Sequence, residues 1–107
     1  MKLEITGDRR SLPRTVKDVA RRRLHYALGR FGHTIDRVTV RFSDENGPRG
    51  GGYQCKVLVV PSGQLRTLVI EESGRDLVSA IAQAAHRAGR AWGRMVSRLR
   101  TRPRRST

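Results

Sequence analysis

Seven apolar residues, Leu77, Ile81, Ala84, Ala88, Trp92, Met95 and Leu99, recur at intervals of three and four along the last third of the chain. That spacing predicts one long amphipathic helix with a single apolar stripe. Ser73-Gly74-Arg75-Asp76 offers a cap and an early acid at its start. A helix of this kind must lay its stripe on something. With 107 residues in all, the chain has room for one small domain, so the preceding residues must supply that surface.

Those residues read as short strands and one further helix. Lys2 to Thr6 alternates polar and apolar and is ended by Gly7-Asp8. From Ser11 the period changes. Val16, Val19, Ala20, Leu24, Ala27 and Phe31 recur at helical spacing, Pro13 suits a first turn, and Gly29 and Gly32 stop the helix. In Ile35 to Asp44, Val38, Val40 and Phe42 face one way and Arg37, Thr39 and Arg41 the other, the mark of a half-buried strand. Tyr53 to Val60 and Gln64 to Glu72 are expected to pair as an antiparallel hairpin around Pro61-Ser62-Gly63. The order is therefore β-α-β-β-β-α, an α+β fold with a four-stranded sheet and both helices on one face. Leu3, Ile5, Val38, Val40, Phe42, Val57, Val59, Leu68 and Ile70 are expected to point at those helices. Residues 1–100 form the domain, and the segment from Thr101 to Thr107 is expected to be a disordered basic tail.

Several classes are excluded. No apolar run approaches the roughly 18–20 residues of a membrane span, and Met1-Lys2-Leu3-Glu4-Ile5 lacks a secretory stretch. Cys55 is the only cysteine, so no internal disulfide forms, which suits a reducing compartment. Its place on a strand with Val57 and Val59 marks it as a small buried hydrophobe. His25, His33 and His86 have no metal-ligand spacing with one another or with Cys55. Glu71 and Glu72, adjacent on a strand, point to opposite faces and cannot work as a carboxylate pair. Gly50-Gly51-Gly52 precedes a strand, so it is a hairpin loop and no phosphate loop. No catalytic constellation emerges, and neither a metal nor a cofactor is implied.

Charge is more informative. The formal net charge is +14, and all nine acids fall within residues 1–76, where they meet fifteen basic residues. Residues 77–107 hold eight arginines and no acid. Arginine outnumbers lysine 20 to 3. The choice of Arg over Lys suits phosphate oxygens and equally fits GC-rich codon usage, but codon usage does not strip a helix of acids. Arg87, Arg90, Arg94 and Arg98 fall in one sector of the second helix, bordered by Gln83, His86 and Ser97. A merely solvated face mixes signs to gain i,i+4 pairs. This sector reads as a polyanion-binding face with no internal partners, nucleic acid being the default ligand. On the first helix, Arg14, Arg21 and Arg22 point outward, while Arg23 either snorkels past the core edge or lines the seam between helices. With five aromatics, several on apolar stripes, a base-stacking platform has little support. A general nucleic-acid coat would use the same arginines. An amphipathic membrane surface is disfavoured by Trp92 and Leu99, which belong to the core stripe.

Element order and residues together resemble the ribosome hibernation-promoting factor family, also called the ribosome-associated inhibitor or sigma-54 modulation family. The matching stretches are Met1-Lys2-Leu3-Glu4-Ile5-Thr6-Gly7, Arg30-Phe31 followed by Ile35-Asp36-Arg37-Val38, and Glu72-Ser73-Gly74-Arg75-Asp76-Leu77 leading through Ala80-Ile81. The resemblance implies a domain similar in shape to double-stranded RNA-binding domains. It also implies binding to the small ribosomal subunit and its 16S rRNA, in the channel shared by messenger and transfer RNA, silencing or protecting idle ribosomes under stress. Arg87, Arg90, Arg94 and Arg98 match the family's basic second helix, and Lys17 and Arg23 match basic positions of the first. The implied protein is cytoplasmic, non-enzymatic and monomeric off the ribosome, with no membrane or small-molecule partner. Three features depart from the family. The chain resembles the short form, without the domain that pairs ribosomes, and Ser43-Asp44-Glu45-Asn46 puts acids where RNA would lie. The tail Arg102-Pro103-Arg104-Arg105 is also unusually basic.

Overall fold

The computed structural model describes residues 1–7, 12–44 and 52–101. The glycine-rich loop and the basic tail from Arg102 onward lie outside the described residues. Four strands, β1 (Lys2–Thr6), β2 (Ile35–Asp44), β3 (Tyr53–Pro61) and β4 (Leu68–Gly74), form one sheet in the order β1-β2-β3-β4. Helix α1 (Arg14–Leu28) and a 3-10 segment (Gly29–Thr34) connect β1 to β2, and α2 (Leu77–Thr101) follows β4. β1 runs parallel to β2, as it must when a helix separates them, and the remaining pairs are antiparallel. The expected β-α-β-β-β-α order is the one observed.

Strand phase decides the core. Leu3 lies opposite Val38 and Ile5 opposite Val40; Val38, Val40 and Phe42 face Val59, Val57 and Cys55; Val57 and Val59 face Ile70 and Leu68. These residues join Val16, Ala20, Leu24 and Leu28 of α1, and Ile81, Ala84, Ala88 and Trp92 of α2, in one core. Both helices therefore lie on one face. Leu3, Ile5 and Leu68 are only partly buried against this core, because they sit toward its margins. Ile35 breaks the alternation and is nevertheless buried: a bulge at Asp36 adds one residue to β2 and turns Ile35 inward. Cys55 is fully buried, and desolvation pushes its thiol up to about 12, so it packs as a hydrophobe.

Four details differ from the sequence reading. β4 begins at Leu68, four residues after Gln64, and ends at Gly74. Ser62 explains the delay: its amide donates to the Thr34 carbonyl at 3.0 Å and its hydroxyl to the His33 carbonyl at 3.0 Å. These bonds fasten the β3–β4 turn to the 3-10 segment before the chain re-enters the sheet. Pro13 takes the N-cap position of α1 (φ −58°, ψ 145°), and its carbonyl accepts from the amides of Val16 and Lys17. Leu28, outside the predicted stripe, is fully buried. Leu99, placed on the core stripe, is 50% exposed. The reason is length. Twenty-five helical residues span about 37 Å, whereas the seven of β4 reach about 23 Å. α2 outruns its strand, and among the described residues Val96 is the last buried one on it.

The passage into α2 is tightly built. The Ser79 amide donates to Asp76 Oδ1 at 2.8 Å, an N-cap bond. Together with the Ser79 side chain, it lowers the Asp76 carboxyl from its ordinary 3.8. At the other end of the core, Trp92 Nε1 donates to Thr34 Oγ1 at 2.9 Å, and that hydroxyl donates onward to the Phe31 carbonyl at 2.6 Å. The buried indole thus has its partner.

Two outcomes test this packing. Phe42→Ala is expected to lower unfolding free energy by about 3–5 kcal/mol in urea titrations, the range for deleting a fully buried aromatic. Because the Asp76 carboxyl is depressed in the folded state, its capping contribution is present above its unfolded value and is lost as pH falls through the folded one. Asp76→Ala should therefore flatten the acid limb of melting temperature as pH falls through and below the ordinary carboxylate range.

Candidate nucleic-acid interface

Small residues bring the two helices together. Ala82, Ala85, Gly89 and Gly93 follow one another at intervals of three and four along the flank of α2 that meets α1. A Cβ on Gly89 would stand 2.9 Å from the Ala27 carbonyl oxygen and 3.0 Å from the Ala27 Cβ. One on Gly93 would stand 3.3 Å from the Phe31 ring. The backbones therefore approach as closely as glycine permits, and a shallow groove runs above their contact. Arg23 and Tyr26 of α1 and Arg30 of the 3-10 segment line one side of it, and His86, Arg90 and Arg94 of α2 the other.

Among the described residues, no acid lines this groove. Among the described residues, the salt bridges are Arg21–Asp18, Arg37–Asp36, Lys56–Glu71 and Arg87–Glu72. Arg23, Arg30, Arg90 and Arg94 have none. Arg30 instead lays its guanidinium over the Phe31 ring, 4.7 Å from the centroid, which holds it beside the groove. Four cations, from α1, the 3-10 segment and α2, share a strip with no counter-charge among the described residues. Such an arrangement favours an extended anion.

The six residues singled out in the sequence divide between four places. Arg23, Arg90 and Arg94 lie along the groove, Arg90 between the other two, and Arg23 lines the seam between the helices. Arg98 is exposed one turn beyond Arg94. Lys17 is half-buried and stands about 120° round α1 from Arg23, away from the groove. Arg87 corrects the reading of a sector without internal partners. Its Nη1 donates to the Glu71 carbonyl at 3.1 Å and to the Glu72 carboxylate. The physical reason is strand phase: Glu71 points to the open sheet face and pairs with Lys56 at 3.9 Å, so Glu72 points toward the helices and meets Arg87 at the edge of α2. Arg87 ties α2 to β4, and half of its side chain remains open to solvent.

Tyr26 and Arg30 belong to the groove and are not among the sequence candidates, whereas His86, read as bordering the arginine sector, lines it as well. Their signal lay in the stripe of small residues on α2, which marks the contact flank and hence the residues flanking it. Among the described residues no group of three or more His, Cys, Asp and Glu could hold a metal ion, and no helix is long and apolar enough to cross a membrane.

The Gly89 contact has a direct test. Gly89→Val should destabilise the protein by about 1–3 kcal/mol, as overpacking does. Gly29→Ala should be tolerated, since nothing lies within 4 Å of a Cβ there. Thermal melts of the two variants separate helix-contact sterics from general glycine effects.

Solved structures share this architecture. A ribosomal subunit interface protein from Coxiella burnetii is similar over 91% of this chain and 99% of its own, with a TM-score of 0.76 and 12% identity. The N-terminal domain of Protein Y from Thermus thermophilus is similar over 88% of this chain and 98% of its own, with a TM-score of 0.68 and 19% identity. No protein-family model and no curated protein matches the sequence. At these identities the likeness establishes the fold, and it spans nearly the whole chain.

Proposed function

We propose that the chain is a ribosome-binding factor of the hibernation-promoting type, and that its interhelical groove grips ribosomal RNA of the small subunit. The observation that carries this reading is the convergence of Arg23, Arg30, Arg90 and Arg94, from both sides of the interhelical seam, on one groove with no acid among the described residues. The fold around it is similar to those of a ribosomal subunit interface protein and of Protein Y. On this reading, the arginines contact phosphate oxygens on either side of the seam, each fork taking two oxygens in parallel. Bound in the channel that messenger and transfer RNA use, the domain excludes both and silences the idle ribosome. It acts by occupancy in the cytoplasm, without catalysis or cofactor. Lys17 and Arg98 reach further along the RNA from outside the groove, and Arg87 contributes its open half.

The energy source is electrostatic, so affinity for small subunits should fall steeply with monovalent salt at fixed magnesium; on B-form DNA the slope of log K against log salt is about −0.9 per phosphate contacted. The decisive comparison is Arg90→Glu with Arg94→Glu against Arg104→Glu with Arg105→Glu. Both pairs make the same charge change, the first within the groove and the second in the terminal sequence. Neither Arg90 nor Arg94 is buried, so the fold should persist. The groove variant is expected to lose co-sedimentation with small subunits and inhibition of cell-free translation, while the terminal variant is only weakened. Equal losses would leave charge alone as the determinant and make the protein a general nucleic-acid coat.

A further inference from the structure

Tyr26 has no structural use that the fold explains. Its side chain is 91% exposed, the most exposed of the large hydrophobic residues described, and its hydroxyl makes no hydrogen bond among the described residues. Yet it sits on the lip of the groove, one turn after Arg23 on α1, and Arg30 of the following 3-10 segment lines the same hollow. The floor beside it is made of Ala27, Ala82, Ala85 and Gly89, small and without polar side-chain atoms, and Arg90 and His86 form the opposite wall.

We propose that Tyr26 stacks on one unpaired nucleobase, and that the groove thereby selects RNA with an extruded base over a continuous duplex. This rests on the reading of the groove as an RNA site. The chemistry of the lining divides along those lines. An aromatic ring and a flat floor of small residues suit the π-face of a base and the apolar edge of a ribose. The arginines before and after the ring suit the phosphates on either side of that nucleotide. A fully paired A-form helix presents phosphates and 2′-hydroxyls to a side chain but keeps its base faces stacked inside. Arginine alone would serve for such a ligand, and the tyrosine would remain idle. An unpaired base uses both.

The experiment measures binding of the full chain to three RNAs built on one duplex: fully paired, carrying one bulged adenosine, and carrying an abasic ribose at the same bulge. The abasic RNA keeps every phosphate of the bulged one and lacks only the base. The wild-type protein should prefer the adenosine bulge to the abasic one by about 5- to 150-fold, the span of one base–aromatic stack. Tyr26→Ala should abolish that preference and leave affinity for the paired duplex unchanged, whereas Tyr26→Phe should retain it, since the ring and not the hydroxyl is used. Circular dichroism should be the same for all three proteins, as expected for so exposed a side chain. A Tyr26→Ala protein that keeps the preference overturns the proposal, and so does one that loses affinity equally for all three RNAs. Failure of the groove reading itself looks different: the Arg90→Glu, Arg94→Glu protein would then still bind small subunits.

Discussion

The close approach of Gly89 to Ala27 is the contact on which the candidate site depends. A Cβ at that point would lie 2.9 Å from a backbone carbonyl oxygen, an atom that cannot rotate out of the way. Because the side chain is missing, α1 and α2 meet backbone to backbone, and the residues flanking the contact on each helix come within reach of one ligand. Widen the contact, and Arg23 and Arg30 part from Arg90 and Arg94. The arrangement also costs the folded state something, since like charges are gathered with no carboxylate to offset them. Solvent screens much of that repulsion in the free protein, and a bound polyanion would relieve the rest.

The position of α2 is set from both ends. At its start, the chain leaves β4 through Gly74, where a Cβ would stand 2.5 Å from the Ala80 amide nitrogen. The partner strand meets this turn through Gly52, whose φ of 106° is left-handed and whose added Cβ would strike the Gly74 carbonyl. Only glycine fits either place without a backbone shift. Further along the helix, the buried Trp92 is hydrogen-bonded to Thr34, which fixes how α2 sits against the 3-10 segment. Arg87 adds a third tie through Glu72 and the Glu71 carbonyl. Helix, strand and 3-10 segment therefore hold the arginine face in one orientation over the sheet.

Charge is sorted by the fold as well as by the sequence. Glu71 pairs across the open sheet face with Lys56, and Glu72 is spent on Arg87. Asp18 and Asp36 pair with the neighbouring Arg21 and Arg37 at exposed positions, where such pairs contribute little stability. None of these acids reaches the groove. The acid-free character first visible as a stretch of sequence thus becomes, in three dimensions, a strip bounded by two helices. A general electrostatic attraction gains a shape from this: cations on both sides of a shallow seam, with an exposed aromatic ring beside them.

Element order and strand phase were legible because they follow from periodicity, which is local. Val38, Val40 and Phe42 against Val59, Val57 and Cys55, and the stripe from Ile81 to Trp92, were readable one residue at a time, since burying one face requires that alternation. The end of the useful stripe was not, because Leu99 has the right phase and lies past the strand it would cover. Nor was the fate of Arg87, whose partner lies fifteen residues away on β4 and depends on which of two adjacent glutamates turns inward. The sequence by itself determined an α+β domain with a strongly basic, acid-free second helix. Only the tertiary structure decided which cations act together, because Arg23, Arg30, Arg90 and Arg94 become neighbours through a glycine-mediated helix contact between segments some sixty residues apart, and no local pattern encodes a distance of that kind.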